Sequence, residues 1–272
     1  YQEVTGVQTC ALPIYAFVDK VHMEEIDRVV VGHFGGNSSQ GQSKNEDGCL
    51  LWSNKEKDWE FAILLDAHNT AESAELVITE FYQQKQEILN LLDLECEPAF
   101  IQINDLILQT FKGVSFQEAC KTIKGETACL FVIRKENFLS WFSIGDCILN
   151  LYHPELSKLG EFQQNHRSFF EWVGQESTFN KSVPCYSTGI KELRKGTNHI
   201  FLTTDGLTEC PGTGFARPDK IFSVFNGRTN QQGVAELLNT IRENNVRDST
   251  TILSWRINQS KQATMPSNEG SD

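Results

Sequence analysis

Five aspartates stand where runs of apolar residues stop, and carboxylates gathered in that way can hold a divalent metal. Asp66 directly follows Phe61-Ala62-Ile63-Leu64-Leu65, and Asp205 directly follows Ile200-Phe201-Leu202-Thr203-Thr204. Asp146 sits in a Gly145-Asp146 turn between two further runs. Asp47 precedes Gly48 and Cys49-Leu50-Leu51-Trp52, and Asp248 lies just before Thr250. Taken singly, each reads as a turn former at a strand end. Taken together they read as a site. Like charges ~4 Å apart repel by roughly 4 kcal/mol per pair at an effective dielectric near 20, so a cluster needs a cation inside it. Oxygen ligands without His or Cys select hard ions, Mg²⁺ or Mn²⁺. Two such ions close together activate a water and grip a phosphoryl oxygen. Convergence of the five is a matter for the tertiary structure.

The elements that must position these acids follow from hydrophobic periodicity. Val29 to Val31 is a β-branched run that leads into a glycine-rich loop, Gly32 to Gly41. Gly48 to Ser53 and Trp59 to Leu65 read as two strands around a charged turn, Asn54 to Asp58. If Ser53 pairs with Trp59, Asp47 stands opposite Leu65 and meets Asp66 at the open end of one hairpin. Asn69-x-x-Glu72 reads as a capping-box start, followed by Ala74, Val77, Ile78, Phe81, Ile88 and Leu92 at helical spacing. Phe100, Ile103, Ile107 and Phe111 mark a second helix. Thr127 to Ile133, Phe138 to Ile144 and Cys147 to Tyr152 read as three consecutive antiparallel strands. His199 to Thr204 is a buried strand, Gln232 to Asn245 a helix, and Thr250 to Ile257 the last strand. Strands in runs, with helices between the runs, argue for an α+β fold with antiparallel sheets covered by helices.

The chain has 272 residues, with 24 Lys and Arg against 36 Asp and Glu, a net charge of −12. That charge opposes binding to nucleic acid and to an anionic membrane surface. No apolar run approaches the ~18 residues of a membrane span. The 18 phenylalanines supply a real core. Eight cysteines occur singly, without a Cys-x-x-Cys pair, which predicts buried thiols in a reducing, cytoplasmic setting rather than zinc. Residues 4–14 resemble the conceptual translation of a sequencing-library adapter, so residues 1–14 are set aside as foreign or disordered. A single domain is expected over 15–257, and a disordered polar tail over 258–272.

Six short motifs occur in order: Asn45-Glu46-Asp47-Gly48, Leu64-Leu65-Asp66-Ala67-His68, Gly125-Glu126-Thr127-Ala128, Ile144-Gly145-Asp146, Thr204-Asp205-Gly206-Leu207 and Arg247-Asp248-Ser249-Thr250-Thr251. In that order and spacing the chain, from about Val29 to Ile257, resembles the metal-dependent serine/threonine protein phosphatases of type 2C, or PPM type. The resemblance implies a β-sandwich of two antiparallel sheets flanked by helices, in four layers. It implies a centre of two Mg²⁺ or Mn²⁺ ions, bridged by Asp66 and ligated by the Ala67 carbonyl, Asp47, Asp205 and Asp248. Asp146 with Asp205 matches a third-metal site of some members. Glu46 orients bound water, and His68 is the general acid that protonates the leaving alkoxide, a role suited to a group titrating near neutral pH. By the same resemblance, the attacking group would be a metal-bridging hydroxide.

Three departures stand out. Where the family has Asp-Gly-His-Gly-Gly, this chain has Asp66-Ala67-His68-Asn69-Thr70. Ala67 still offers a carbonyl if its backbone angles suit a non-glycine residue. Asp248-Ser249 replaces Asp-Asn and keeps the carboxylate. Five residues before Asp47, where the family carries a phosphate-clasping Arg, stands Gln42, which has no bidentate cation. Lys44, two residues on, faces the same side as Gln42 in an extended segment and is the candidate replacement. The alternative is a solvated surface lysine. Thr208 to Arg228 is expected as a mobile flap beside the site, where Arg217 or Lys220 would meet an anionic substrate or remain ordinary surface charges.

The sequence reading is therefore a cytoplasmic, monomeric Mg²⁺- or Mn²⁺-dependent signalling phosphatase acting on phosphoserine or phosphothreonine in a protein. Its rivals are a phosphatase-fold binding module without activity, which Gln42 motivates, and a metal-dependent nuclease, which the charge opposes.

Overall fold

Strands that are apolar at every position need cover on both faces, and the chain supplies it with four layers. The computed structural model describes residues 17–266. In chain order the elements are β1 (Val21–Ile26), β2 (Val29–Phe34), β3 (Gly48–Asn54), β4 (Trp59–His68), α1 (Glu72–Gln83), α2 (Lys85–Leu92), α3 (Cys96–Lys112) and α4 (Val114–Cys120). Then come β5 (Glu126–Lys135), β6 (Phe138–Ile144), β7 (Ile148–Tyr152), α5 (Pro154–Lys158), β8 (Val173–Gly174), β9 (Ser187–Glu192) and β10 (Gly196–Thr203). The chain closes with α6 (Asp205–Thr208), α7 (Pro218–Val224), α8 (Asn230–Glu243) and β11 (Thr250–Gln259).

One sheet has the order β1-β2-β11-β10-β7 and the other β3-β4-β5-β6-β9, with β8 added to β5. Every pairing is antiparallel. The period of two explains the apolar runs. Phe61, Ile63 and Leu65 of β4 face α1–α4, while Ala62 and Leu64 face the opposite sheet. Cys129, Phe131 and Ile133 of β5 alternate in the same way with Ala128, Leu130 and Val132. On the far side, Val30 of β2, Phe201 of β10 and Ile252 of β11 pack against Val234, Leu237, Leu238 and Ile241 of α8. The α+β sandwich of two antiparallel sheets flanked by helices is the observed architecture.

The structure departs from the sequence reading in several places. β2 runs on to Phe34 through three residues of the expected loop, because Gly32, His33 and Phe34 are buried. The first long helix breaks at Gln84 into α1 and α2. Its start is not a capping box: Ala71 holds the N-cap position without a side-chain bond, and the Thr70 hydroxyl accepts from the Glu72 amide instead. β7 is not the third strand of a meander. It crosses to the other sheet and pairs with β10, leaving β9 as the outer neighbour of β6. The crossing buries Leu149 and Leu151 between the sheets and Tyr152 in the core on the α8 side. The polar tail expected from Asn258 is held to the domain as far as residue 266: β11 includes Gln259, Ala263 is buried, and Arg194 donates to the Thr264 carbonyl. The adapter-like stretch lies outside the described residues. No disulfide joins the cysteines among the described residues, and no helix there is long and apolar enough to cross a membrane.

At the closed end of the hairpin, away from the acids, Arg134 is fully buried. It donates to both Glu60 carboxylate oxygens at 2.6 Å and to Asp58 at 2.6 Å. Arg28 adds a contact to Glu60 at 3.1 Å. Removing Arg134 strips the buried Glu60 of its two shortest bonds and leaves it Arg28 alone. Arg134→Ala is therefore expected to lower unfolding free energy by about 3–5 kcal/mol, read by urea denaturation. A loss under ~1 kcal/mol would mean that Glu60 is not stranded.

Candidate metal centre

The β3–β4 hairpin is the first element to bring two acids together. Its register pairs Gly48 with Leu65 and Asn54 with Trp59, one residue away from the expected pairing. Asp47 is therefore level with Asp66, not with Leu65, and the two carboxyls meet more directly than the sequence count implied. Asp66 is within β4, opposite Ala128 of β5. Asp146 follows β6 after Gly145, Asp205 opens α6 directly after β10, and Asp248 precedes β11. Thus three acids come from one sheet and two from the other, at the same end of the sandwich.

The geometry is tight. One carboxylate oxygen each from Asp66, Asp146 and Asp205 lie within 4.8 Å of one another. The Thr204 hydroxyl donates to Asp47 at 2.8 Å and accepts from the Thr251 amide at 3.0 Å, which ties the two sheets together beneath the acids. Gly206 permits the close approach: a Cβ there would lie 2.3 Å from the Ser249 carbonyl oxygen. The Glu46 amide donates to the Ser249 hydroxyl at 3.1 Å, and the Ser249 amide to the Asp248 carboxylate at 2.9 Å.

The electrostatics record the crowding. Burial, then Asp248, then Asp205 push the Asp47 carboxyl well above the usual range. Burial pushes Asp66 the same way, reinforced by Asp47, Asp205, Asp248 and Asp146. Asp205 is raised to about 6 by burial, Asp248 and Asp146, against a lowering pull from Arg167. Asp248, at the solvent-facing rim, is raised by partial desolvation, with the Ser249 amide and His68 opposing and Glu46 and Glu209 reinforcing. The five acids are one interacting group.

Two atoms test whether a metal suits this site. Asp66 Oδ2 and Asp146 Oδ1 are buried and have no hydrogen-bond partner among the described residues. A buried, unpaired carboxylate oxygen is strongly disfavoured, and the donor set contains only oxygens. These residues fit a hard divalent cation.

The other sequence-derived candidates fall as follows. Ala67 points its side chain into the helix-side core and has no positive φ, so glycine is not required there and its backbone alone is available to the site. The left-handed residue is Asn69, with φ of 74°, a type that tolerates that region. His68 is exposed at the end of β4, close enough to Asp248 to favour its charged form. Glu46 forms an ion pair with Lys44 at 3.0 Å, and Lys44 also donates to the Asn69 carbonyl. Lys44 is therefore engaged within the protein. Gln42 is buried and lines a cavity of ≈ 220 Å³ with Glu46, Arg247 and Asp248. Residues 208–228 lie beside the site, sharing a cavity with Arg167, and are anchored by Phe215, Ile221 and Phe225 in the core on the α8 side. Arg217 pairs with Asp219 at 2.7 Å, and Lys220 is exposed.

The sequence reading missed Arg167. Its Nε donates to the Asp146 carbonyl at 3.0 Å, and its Nη2 lies 3.9 Å from Asp205 Oδ2. The Ser168 amide, bound to the Gly145 carbonyl at 2.8 Å, holds it there. Arg167 lies in an irregular stretch without periodicity, so no sequence signal marks it. Thr204 was legible, since it precedes Asp205 inside a motif.

No protein-family model matches the chain, and no curated protein matches it by sequence. Solved structures do match. A variant of a bacterial serine phosphatase aligns at a TM-score of 0.64 and 18% identity, over 88% of this chain and 100% of its own. The S. agalactiae serine/threonine phosphatase aligns at 0.59 and 14%, over 88% and 100%. The catalytic domain of the serine/threonine protein phosphatase PstP, in complex with two manganese ions, aligns at 0.61 and 12%, over 85% and 98%. The sandwich that gathers these five aspartates is thus the fold of the bacterial PPM-type serine/threonine phosphatases.

Proposed function

We propose that the chain is a cytoplasmic phosphomonoester hydrolase dependent on Mg²⁺ or Mn²⁺, acting on phosphoserine or phosphothreonine in a protein substrate. The observation that carries this reading is the convergence of five acids around two unpartnered, buried carboxylate oxygens at the open end of the sandwich. The structural likeness to PstP with its two manganese ions supports a centre of two ions.

Asp66, Asp47, Asp205 and Asp248 would hold the pair, with the Ala67 carbonyl, and Asp146 with Asp205 offers a third position. Divalent ions there supply the Lewis acid that makes water nucleophilic at neutral pH and stabilises charge on the phosphoryl oxygens. The protein's part is position and proton control. Thr204 keeps the Asp47 carboxylate turned toward the cluster. His68, exposed at the rim, reaches solvent and substrate and delivers a proton to the leaving alkoxide oxygen. Glu46 orients water beside Asp248. The burial of Asp66 keeps bulk water from screening the centre.

The second reading is a binding module that kept the fold; the neutral Gln42 in the rim cavity motivates it, while the likeness to phosphatases and the buried acids weigh against it. Hydrolysis of para-nitrophenyl phosphate and of a phosphothreonine peptide, with Mn²⁺, Mg²⁺ or EDTA, decides between them. Metal-dependent turnover abolished by EDTA is expected. Two bound Mn²⁺ ions by titration calorimetry without turnover would establish the module. Absence of metal binding would remove the metal centre and the hydrolase reading with it.

A further inference from the structure

Metal ions among five carboxylates keep little net positive charge, so a cation outside the metal site would strengthen the hold on a phosphate dianion. The position expected to carry it holds Gln42. Lys44 is occupied by Glu46 and the Asn69 carbonyl. Arg167 is turned onto the Asp146 carbonyl and faces Asp205. Arg247 is different: its side chain is exposed and makes no hydrogen bond or ion pair with the described residues, and the residue is among those lining the cavity of ≈ 220 Å³ with Gln42, Glu46 and Asp248.

The backbone that carries Arg247 is held firmly. The Val246 carbonyl accepts from the Asn37 amide at 3.0 Å and from its Nδ2 at 2.9 Å. Gly36, with φ of +80°, packs so closely that a Cβ would lie 1.9 Å from the Arg247 carbonyl oxygen and 2.8 Å from Gln42 Cγ. Only glycine fits a left-handed position with that contact. Asp248 is fixed in turn by the Ser249 amide. The segment thus presents an exposed, unpaired arginine from a rigid base, one residue from a metal-site carboxylate. The cavity is small, with room for an anionic group and none for a large ligand.

We propose that Arg247 is the substrate-phosphate grip of this protein, entering from the β11 side in place of a cation at position 42. The proposal rests on the phosphomonoesterase reading. Guanidinium offers paired donors that match two phosphoryl oxygens, and among the described residues it has no ion pair that must break when phosphate arrives. Gln42, beside it, adds a neutral amide donor.

The test measures KM and kcat for para-nitrophenyl phosphate, and inhibition by inorganic phosphate, in the Mn²⁺-loaded full chain. Arg247→Ala is expected to raise KM and the inhibition constant for phosphate about tenfold or more, with kcat falling less. Arg247→Lys should recover part of the loss, since it keeps charge and loses the paired donors. Mn²⁺ affinity by calorimetry should stay within twofold in both variants, which separates this role from a structural one. Unchanged KM and phosphate inhibition in Arg247→Ala overturn the proposal, as does a matching loss of Mn²⁺ binding. If the wild type does not turn over, calorimetry of inorganic phosphate into Mn²⁺-loaded protein decides. Phosphate binding lost in Arg247→Ala upholds the grip while the hydrolase reading falls; phosphate binding unchanged in that variant, or absent in the wild type, overturns the grip.

Discussion

Asp66→Asn is expected to abolish metal-dependent turnover and, at the same time, to raise the melting temperature of the metal-free protein. Both effects have one cause. Asp66 is buried and four other acids raise its carboxyl, so in the metal-free fold its charge is unwelcome. Asn keeps the shape and removes the charge. Asp205 gives the scale: a rise from the ordinary ~3.9 to about 6 corresponds to about 3 kcal/mol of lost stability when ionised. One kilocalorie shifts the melting temperature of a domain of 150–250 residues by roughly 2–4 °C. A shift of several degrees is therefore within reach of scanning calorimetry. Turnover should fall at least as far as the ~10²–10³-fold seen when one preorganised contact to a transition state is removed. A variant that melts no higher than wild type and keeps its Mn²⁺ affinity would sink the assignment of Asp66 to the centre.

Mn²⁺ is expected to stabilise the protein, and to do so more at pH 7.5 than at pH 5. The sign follows from the raised carboxyls. A group whose folded value lies above its unfolded value of ~3.9 supports the fold fully below that pH, and loses the contribution as pH rises through the folded value. For Asp205 the loss centres on about 6, and Asp47, Asp66 and Asp248 act in the same direction. The metal-free protein therefore loses this contribution between about pH 4 and pH 7. Metal binding needs the carboxylates ionised, so affinity climbs over the same window. At 100 times its dissociation constant each ion adds about 2.7 kcal/mol. Thermal melts with Mn²⁺ and with EDTA, taken from pH 5 to 7.5, read both effects. A metal-induced shift that does not grow with pH would show that these carboxyls are not its ligands.

The strands were legible because burial on both faces leaves a local trace. Trp59 to Leu65 and Thr127 to Ile133 are apolar at every position, and each strand lies between two apolar layers. The acids were legible for the same reason: Asp66, Asp146 and Asp205 interrupt or end such runs. The hairpin register slipped by one because the turn residues do not say which pair closes it; Asp58, with φ of 52°, tightens the turn so that Asn54 meets Trp59. The destination of β7 was not legible, because alternation in Leu149, Leu151 and Tyr152 suits either sheet. Neither was the fate of the cations: Lys44 and Arg167 are held by partners 25 and 38 residues away, Asn69 and Asp205.

By itself, then, the sequence determined which residues end strands, which faces need cover and which acids are available, since these depend on near neighbours and on a period of two. Only the tertiary structure decided that acids from two sheets meet within 4.8 Å, that Thr204 joins the sheets beneath them, and that Arg247, unpaired among the described residues, stands at the rim cavity. Those outcomes depend on how one sheet stacks on the other, and no local pattern encodes a contact between residues 66 and 205.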